Sequence, residues 1–594
     1  MKLRRQYLAL WQAYLPESPG TSYEVTIEEL AAIMECTPRN MVLLLRKMEE
    51  QGWLRWLPKK GRGNRSTIVL LADGTPLAML EAQEMVAKQS LQDALQWVHA
   101  LQPQLRVQDP FQHWLSGHFG LHSIVHGRQR TDILRFPLPQ KIHSLDPAAL
   151  HYSGEAHLVT QLFDGLVRMD AAGSAIQPHL AHGWDVDESR TEWIFYLRKG
   201  VQFHHGRELL ASDVKYTLER LQQLAPHGLF NWAYANISKI EAIDDRTIRI
   251  TLTERNETFL PFLTTNRASI VPQDYCEQHD QAFGEFPVGT GPFQFIRKEH
   301  GVWILDAFSA YFLGRPFLDR VEVWELPEGQ QVVNTAEQPA FQIMHNVRIS
   351  DMAAEQWQQI RQSGMTCKFL TVNESKQGLL AAAAMRQLLN EAINRDGLLK
   401  MLSGDVIEPC DSFWPHKSKL TAHTNCSPVH LQDKLAAAGY RGEVLLLATI
   451  PQYKADAELI GQLCARAGIQ LQIQLLPAEK FKGEARMSAD LLLFATMLDE
   501  HRDLRLIDLF KSMQQHMLPK MKQELELALQ GVLAEPAAER RMERLMLIEE
   551  QLKKRGLLLF LYRKHLKTAF HPSIRGISLE SLGWVQFRDI WFTS

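Results

Sequence analysis

Cysteine is scarce and scattered. The six residues, Cys36, Cys276, Cys367, Cys410, Cys426 and Cys464, form no C-x-x-C pair and no regular framework. That excludes a disulfide-stapled scaffold and reads as buried, reduced thiols. Charge of one sign is lacking as well: 65 basic against 68 acidic side chains leave a formal net charge of −3, so the chain is not built to coat nucleic acid over its whole surface. No run approaches the ~18 consecutive apolar residues that span a bilayer, and no membrane anchor is expected. The opening MKLRRQYLALWQAYLPES has the basic start of a signal peptide, but Gln6, Gln12 and Tyr14 interrupt its apolar stretch and no small-residue cleavage site follows. It is expected to be a folded helix, and the chain to be cytoplasmic.

What the chain does have is ordinary globular bulk. Its 594 residues are 45% hydrophobic and 22% charged, enough for roughly two to four domains with cores of their own. A basic function must therefore be local. One concentration lies at WLPKKGRGNRSTIVLL, residues 56–71, where Lys59, Lys60, Arg62 and Arg65, with Arg55 just before, surround two glycines with no acid among them. It reads either as a solvated hairpin tip or as a contact for an acidic polymer.

The residues ahead of it carry helix caps. Thr26 followed by IEE puts Glu29 at the third helical position, a capping box in which the two side chains satisfy otherwise unpaired backbone donors. A helix with Ile27, Leu30, Ala31 and Met34 on its apolar face is predicted there. ECTPRN predicts a second start after a turn of about three residues, with Thr37 as N-cap and Pro38 at the first position, where its missing N–H costs nothing. Met41, Leu44, Leu45 and Met48 then form a buried stripe, Arg39, Asn40, Arg46 and Lys47 face outward, and Gly52 ends the helix. This is the helix-turn-helix arrangement, whose second helix offers its N-terminal residues to base edges in the major groove. It is also the pattern of any small helical hairpin. WLRWLP and STIVLL read as strands and KKGRGNR as the tip between them, which makes the whole a winged helix. The candidate DNA-binding residues are Thr37, Arg39, Asn40, Arg46 and Lys47 on the reading helix, and Lys59, Lys60, Arg62 and Arg65 beside phosphates in the wing.

Residues 1 to about 115 resemble the N-terminus of the SgrR-type bacterial transcriptional regulators, in which a winged helix is joined to a large solute-binding domain. In PLAMLEAQEMVAKQSLQDALQWVHAL, Leu77, Leu80, Met85, Leu91, Leu95 and Val98 recur at helical spacings without a sustained heptad, so no long coiled coil is expected. These helices are expected to pack on the winged helix, with a homodimer seam as the alternative. GRQRTDILRF then opens a new module with a strand.

In TEWIFYLRKGVQFHHGRELLASDVKYTLERL, Trp193, Phe195 and Leu197 alternate as in a buried strand, KG and HHG turn the chain, and Ser212 or Asp213 starts an amphipathic helix that ends near Leu221. This passage is similar to the signature of the extracellular solute-binding proteins, family 5, of the peptide, opine and nickel transport group, matching at Leu197, Arg198, Gly200, His204, Gly206 and Asp213 among others. His205 stands where that family has an acid. Further matches follow the family's order: LDPAAL and QLFDGLVRMD ahead of the signature, PVGTGPFQF at 287–295, MRQLLNEAINRDGLL at 385–399 and KLAAAGY at 434–440. Together they cover about 131 to 594. A departure lies in 326–350, where QPAFQIMHNV replaces an acidic family motif; that segment is expected to contact something different. GTGP, Gly289 to Pro292, lacks the Lys-Ser/Thr of a phosphate loop and reads as a tight turn entering a strand.

The expected fold is thus multidomain: an α+β winged helix at 1–75, a helical connector at 76–130, and at 131–594 a two-lobed α/β periplasmic-binding-protein-like domain of class II, peptide/nickel type. The resemblance places lobe one at about 131–370 and 560–594 and lobe two at about 371–559. It also nominates ligand contacts. Asp499 stands after a strand, DLLLFAT, in a position similar to that of the aspartate that pairs with the ligand amine in peptide-binding relatives, without their usual prolines; Tyr152 and Trp414 lie near the family's pocket segments. For these aromatics ordinary core burial is the alternative.

Catalysis is not expected. No G-x-S-x-G elbow, H-E-x-x-H helix or dinucleotide loop occurs. His204, His205 and Glu208 lie on turns that the signature accounts for, and His179 and His182 have no third ligand nearby, so neither a metal nor a cofactor is expected. The sequence therefore points to a regulator whose partners are double-stranded DNA and a small-molecule effector, a sugar phosphate, peptide or other metabolite. The alternatives are a peptide or solute transport-binding protein, and a solute-binding scaffold whose helix-turn-helix binds protein.

Overall fold

The computed structural model describes residues 2–592 other than 60–63, 89–90, 139, 171–172, 227, 327–342, 346–357, 403–406, 415–427, 482, 571–573 and 579–584. The chain falls into two compact units. The first comprises 1–141, 296–305 and 320–342, and the second 142–295, 306–319 and 343–594.

In the first unit, helix α1 (Lys2–Tyr14) precedes strand β1 (Thr21–Val25), helix α2 (Ile27–Ile33), helix α3 (Pro38–Glu50) and the strands β2 (Leu54–Leu57) and β3 (Ser66–Leu70). The three strands form an antiparallel sheet in the order β1-β3-β2. Both predicted caps are made. The Glu29 N–H donates to Thr26 Oγ1 while the Thr26 N–H donates to Glu29 Oε2, and Asn40 N–H donates to Thr37 Oγ1. Tyr7, Leu10, Leu30, Met41, Met48 and Ile68 are fully buried between the helices and the sheet, and the Tyr7 hydroxyl donates to Ala72 O at 2.7 Å.

Helices α4 (Gly74–Ala87), α5 (Leu91–Ala100) and α6 (Gln108–His118) follow. Two arginines of the basic N-terminus fasten α4 to α1: Arg4 and Arg5 both bond the buried Glu81 carboxylate, at 3.1 and 2.6 Å, and Arg4 also reaches Glu84 at 2.9 Å. Gly74 is required at the start of α4, because a Cβ there would lie 2.8 Å from the Trp11 ring. The unit is completed by a five-stranded sheet in which β4 (Gly120–His126) pairs with β5 (Gln129–Leu138), and β5 runs parallel to Arg320–Glu325, beyond which lie Val302–Ala307 and Phe293–Glu299.

Among the described residues the second unit has two large cores and a smaller cluster of Ala448, Leu476, Phe481, Ala489 and Leu492. One lies under a four-stranded antiparallel sheet of Ile237–Asp244, Thr247–Leu252, Glu192–Leu197 and Ala181–Val186. The predicted amphipathic helix runs along it from Ala211 to Leu224, longer at both ends than its polar residues suggested. Asp213 is not the N-cap: it sits one turn inside and accepts the Leu210 N–H at 2.9 Å while Arg207 holds the same carboxylate. The other core belongs to a mixed sheet in the order Ile343–His345, Leu558–Phe570, Gln358–Val372, Leu491–Leu498, Val444–Thr449 and Gln470–Leu475. The last two are parallel, as the intervening helix Lys454–Arg466 requires. Helix Arg502–Met513 belongs to both cores, sending Leu504 into the first and Leu506, Ile507 and Phe510 into the second. The segment 326–350, singled out as a family departure, lies almost entirely outside the described residues. Among the described residues no helix is long and apolar enough to cross a membrane.

Candidate nucleic-acid interface and solute-binding residues

Helix α3 turns a polar face outward because its apolar stripe is fixed inward. Met41, Leu44, Leu45 and Met48 are buried, and Arg39, Asn40, Arg46 and Lys47 are exposed. Arg39, Arg46 and Lys47 carry no ion pair among the described residues, and neither does the exposed Arg55 on β2. Thr37 uses its hydroxyl oxygen as the helix cap. Two further side chains share the outward face: Leu43 and Val42, exposed to 51% and 43%. The sequence held the signal for them, since the run MVLLLRKM contains more apolar residues than one helical stripe can bury.

The hairpin is tied back to α2. Arg65 donates from Nε and Nη2 to Glu24 O, at 3.1 and 2.8 Å, and from Nη2 to Glu29 Oε2 at 3.0 Å, while Lys59 Nζ lies 3.3 Å from Glu24 Oε1. Two of the wing's cations are therefore partnered by acids, and these come from β1 and the capping box rather than from the basic stretch itself. Lys60 and Arg62 lie outside the described residues. Glu49 of α3 accepts the Trp56 N–H at 3.0 Å, which joins the helix to the first strand of the hairpin.

The three nominated ligand contacts differ in setting. Tyr152 is partly exposed and stacks on His143 with ring centroids 5.1 Å apart. Trp414 is fully buried in the core of the mixed sheet, beside Phe413 and under the Arg502 guanidinium. Asp499 has no exposed side-chain surface, and Arg505 holds both carboxylate oxygens. Burial would raise the Asp499 carboxyl, but the charge of Arg505 outweighs it and leaves the group below the usual carboxylate range. Asp499, Glu500 and His501 bring ligating atoms within 4.8 Å of one another. All three are engaged: Asp499 by Arg505, His501 by Thr264 Oγ1 at 2.8 Å, and Glu500, whose Oε1 lies 3.6 Å from His501 Nδ1. Burial pushes the His501 imidazole down to about 4.

The signature residues tie strands and turns together. His204 accepts the Gly289 N–H at Nδ1 and donates from Nε2 to Gly291 O at 3.0 Å. Thr290, from GTGP, donates to the buried Asp164, which also binds His179 at 2.7 Å and the Tyr311 hydroxyl at 3.1 Å. Gly291 abuts backbone: a Cβ there would lie 2.5 Å from Leu162 C and 2.7 Å from Gln161 O. GTGP is a bend rather than a hydrogen-bonded tight turn, since its backbone bonds elsewhere, Gly289 O accepting the His204 N–H and the Gly291 N–H donating to Leu162 O, and strand Phe293–Glu299 follows it as expected.

Residues 175–514 match the profile of the bacterial extracellular solute-binding proteins, family 5 middle region. The chain belongs to that family. Residues 2–118 of this family 5 chain match a second profile, the sugar transport-related sRNA regulator N-terminal domain, which gives the pairing of domains expected from the sequence. Relatives match from end to end. The protein YhjP of Bacillus subtilis (strain 168) is 29% identical, with all of both chains covered. The HTH-type transcriptional regulators SgrR of Yersinia pestis (strain Pestoides F) and Pectobacterium atrosepticum are 26% identical over all of this chain and 99% and 98% of theirs. Among solved structures, the dipeptide-binding protein of Pseudoalteromonas sp. SM9913 in complex with Met-Leu superimposes with a TM-score of 0.67 at 17% identity, covering 78% of this chain and all of that one. The periplasmic binding protein DppA of Helicobacter pylori, with the peptide STSA, gives 0.66 at 20% identity over 77% and 98%. The family 5 chain thus has the fold of periplasmic binding proteins over almost four-fifths of its length.

Proposed function

We propose that this protein is a cytoplasmic, non-catalytic transcription regulator that binds double-stranded DNA through its N-terminal winged helix and a small solute through its family 5 domain. The observation that carries the reading is the outward face of α3, where Arg39, Arg46 and Lys47 stand without ion pairs among the described residues, beside a basic hairpin, on a chain that otherwise belongs to a solute-binding family. Full-length relatives named as HTH-type transcriptional regulators support it. In this reading residues 1–75 are the DNA-binding domain and 76–130 the helical connector. The solute-binding domain begins at 131 and lends strands to the compact unit that contains the first two.

Arg39 and Asn40 contact base edges, while Arg46, Lys47 and the wing cations other than Lys59 and Arg65, which are held by acids, contact phosphates. Of the three nominated solute contacts, Tyr152 is the one whose side chain is partly exposed rather than buried in the core or neutralised by an arginine. The effector is a small metabolite of the sugar phosphate or peptide class, and it regulates by binding two conformations of the protein with different affinity. Equilibrium binding of the full chain to duplexes selected from a random library, repeated across salt concentrations, tests the reading. A transport-binding protein or a protein-binding scaffold gives no salt-dependent binding.

A further inference from the structure

We propose that Leu43 reads the C5 methyl group of thymine in the major groove, so that the preferred operator carries thymine at the base pair this side chain faces. The inference rests on the DNA-binding reading above.

Its basis is the placement of one apolar side chain. At about 100° per residue, Leu43 falls one turn after Arg39, one turn before Lys47 and three residues before Arg46. It therefore stands close to the pole of the helix opposite the buried Met41, Leu45 and Met48. Just over half its surface is exposed, and Val42 beside it is exposed almost as far. Leu43 is not part of the buried stripe of α3, and the three cations around it have no ion pair among the described residues. Glu50 is an acid on the same face, about 10 Å further along the axis at ~1.5 Å per residue.

An apolar centre framed by cations fits a surface whose own apolar group is framed by anions. The major groove of B-DNA is such a surface: the thymine methyl is its apolar group, edged by the phosphates of both strands. Double-stranded RNA offers no such target to a helix, because its major groove is deep and narrow. A bare apolar protein groove would leave three guanidinium and ammonium groups unmatched, at a desolvation cost. Arg39 and Asn40, one turn earlier, reach base edges by hydrogen bonding, and Leu43 extends the reading by one apolar contact.

The test uses the full chain and duplexes selected from a random library. Each thymine of a selected duplex is replaced in turn by deoxyuridine, which removes the methyl and nothing else, and dissociation constants are measured for the wild type, Leu43→Ala and Val42→Ala. Deoxyuridine at one or two positions should weaken the wild type about fourfold, as expected for one buried methyl-sized group. The same replacement should leave Leu43→Ala unchanged. Because Leu43 is exposed, its removal leaves the core intact. Selected duplexes that bind the wild type equally with thymine and deoxyuridine overturn this inference alone, as does a coupling that disappears in Val42→Ala instead. If Leu43→Ala changes self-association in sedimentation but no DNA affinity, the leucine is a protein contact and the proposal fails. If no duplex is selected at all, the regulator reading falls with it.

Discussion

Arg505 grips Asp499 through Nη2 to Oδ2 at 2.8 Å and Nε to Oδ1 at 3.1 Å, and the aspartate side chain has no exposed surface. The carboxylate nominated to meet a ligand cation already has one from its own chain. Replacing Arg505 by leucine leaves a buried charge without compensation and should cost about 3–5 kcal/mol in chemical denaturation. Asp499→Asn should cost less. Any solute that raises the melting temperature of the wild type should raise that of Asp499→Asn to a similar extent, whereas Tyr152→Ala should reduce the shift.

The engaged wing cations bear on DNA affinity. With Lys59 and Arg65 bonded to Glu24 and Glu29, three to six cations remain for phosphates, and log K should fall with log salt at a slope of roughly −3 to −5. Arg46→Ala and Lys47→Ala should each reduce that slope by about 1 and weaken all sequences alike, whereas Arg39→Ala and Asn40→Ala should relax base preference. Arg65→Ala should change stability by no more than about 1 kcal/mol, because its ion pair is half exposed. Fluorescence polarisation across salt and sequence separates these outcomes.

Glu549 gives a pH signature. It is buried, its Oε2 accepts the Phe413 N–H at 2.9 Å, and burial pushes its carboxyl up to about 7. A native group that keeps its proton where the unfolded chain has lost it contributes stability that is complete below the unfolded pKa of about 4.3 and is lost as pH rises towards 7. Glu549→Gln keeps the hydrogen bond and removes the titration. The variant should match the wild type near pH 4.5 and exceed its stability by roughly 2–3 kcal/mol at pH 8. Paired denaturation curves across that range check the sign.

Gly291→Ala should destabilise the solute-binding domain by roughly 1–3 kcal/mol or more, since its Cβ would meet the backbone of Gln161 to Phe163 rather than movable side chains. DNA affinity in the same variant should be unchanged. A thermal melt alongside a binding curve distinguishes the two effects.

Local chemistry was readable wherever neighbouring residues satisfy one another. Thr26 with Glu29, and Thr37 with Pro38, place both helix starts in the first module because capping needs partners only three residues apart. The family passages were legible as words, yet their bonds were not: Asp164 meets Thr290 and Tyr311 across well over a hundred residues. Long-range partners also decided the candidate site. Nothing near Asp499 in DEHRD announces that Arg505, one and a half turns on, is the group that neutralises it. Arg65 looked free because its acids, Glu24 and Glu29, lie on an earlier strand and helix. Leu43 was hidden for the opposite reason, since a helical stripe identifies what must be buried and leaves the rest unassigned.

The Glu29 carboxylate accepts both a helix-start N–H and the Arg65 guanidinium of the hairpin. One acid therefore links the reading helix's support to the wing, like the light spring of a caliper. A spring worth about 1 kcal/mol biases the opening without locking it, so a duplex that enters shares the adjustment through its own groove width. The energy of that adjustment depends on base steps that no side chain touches, and selected operators should show preferences there as well as under the helix.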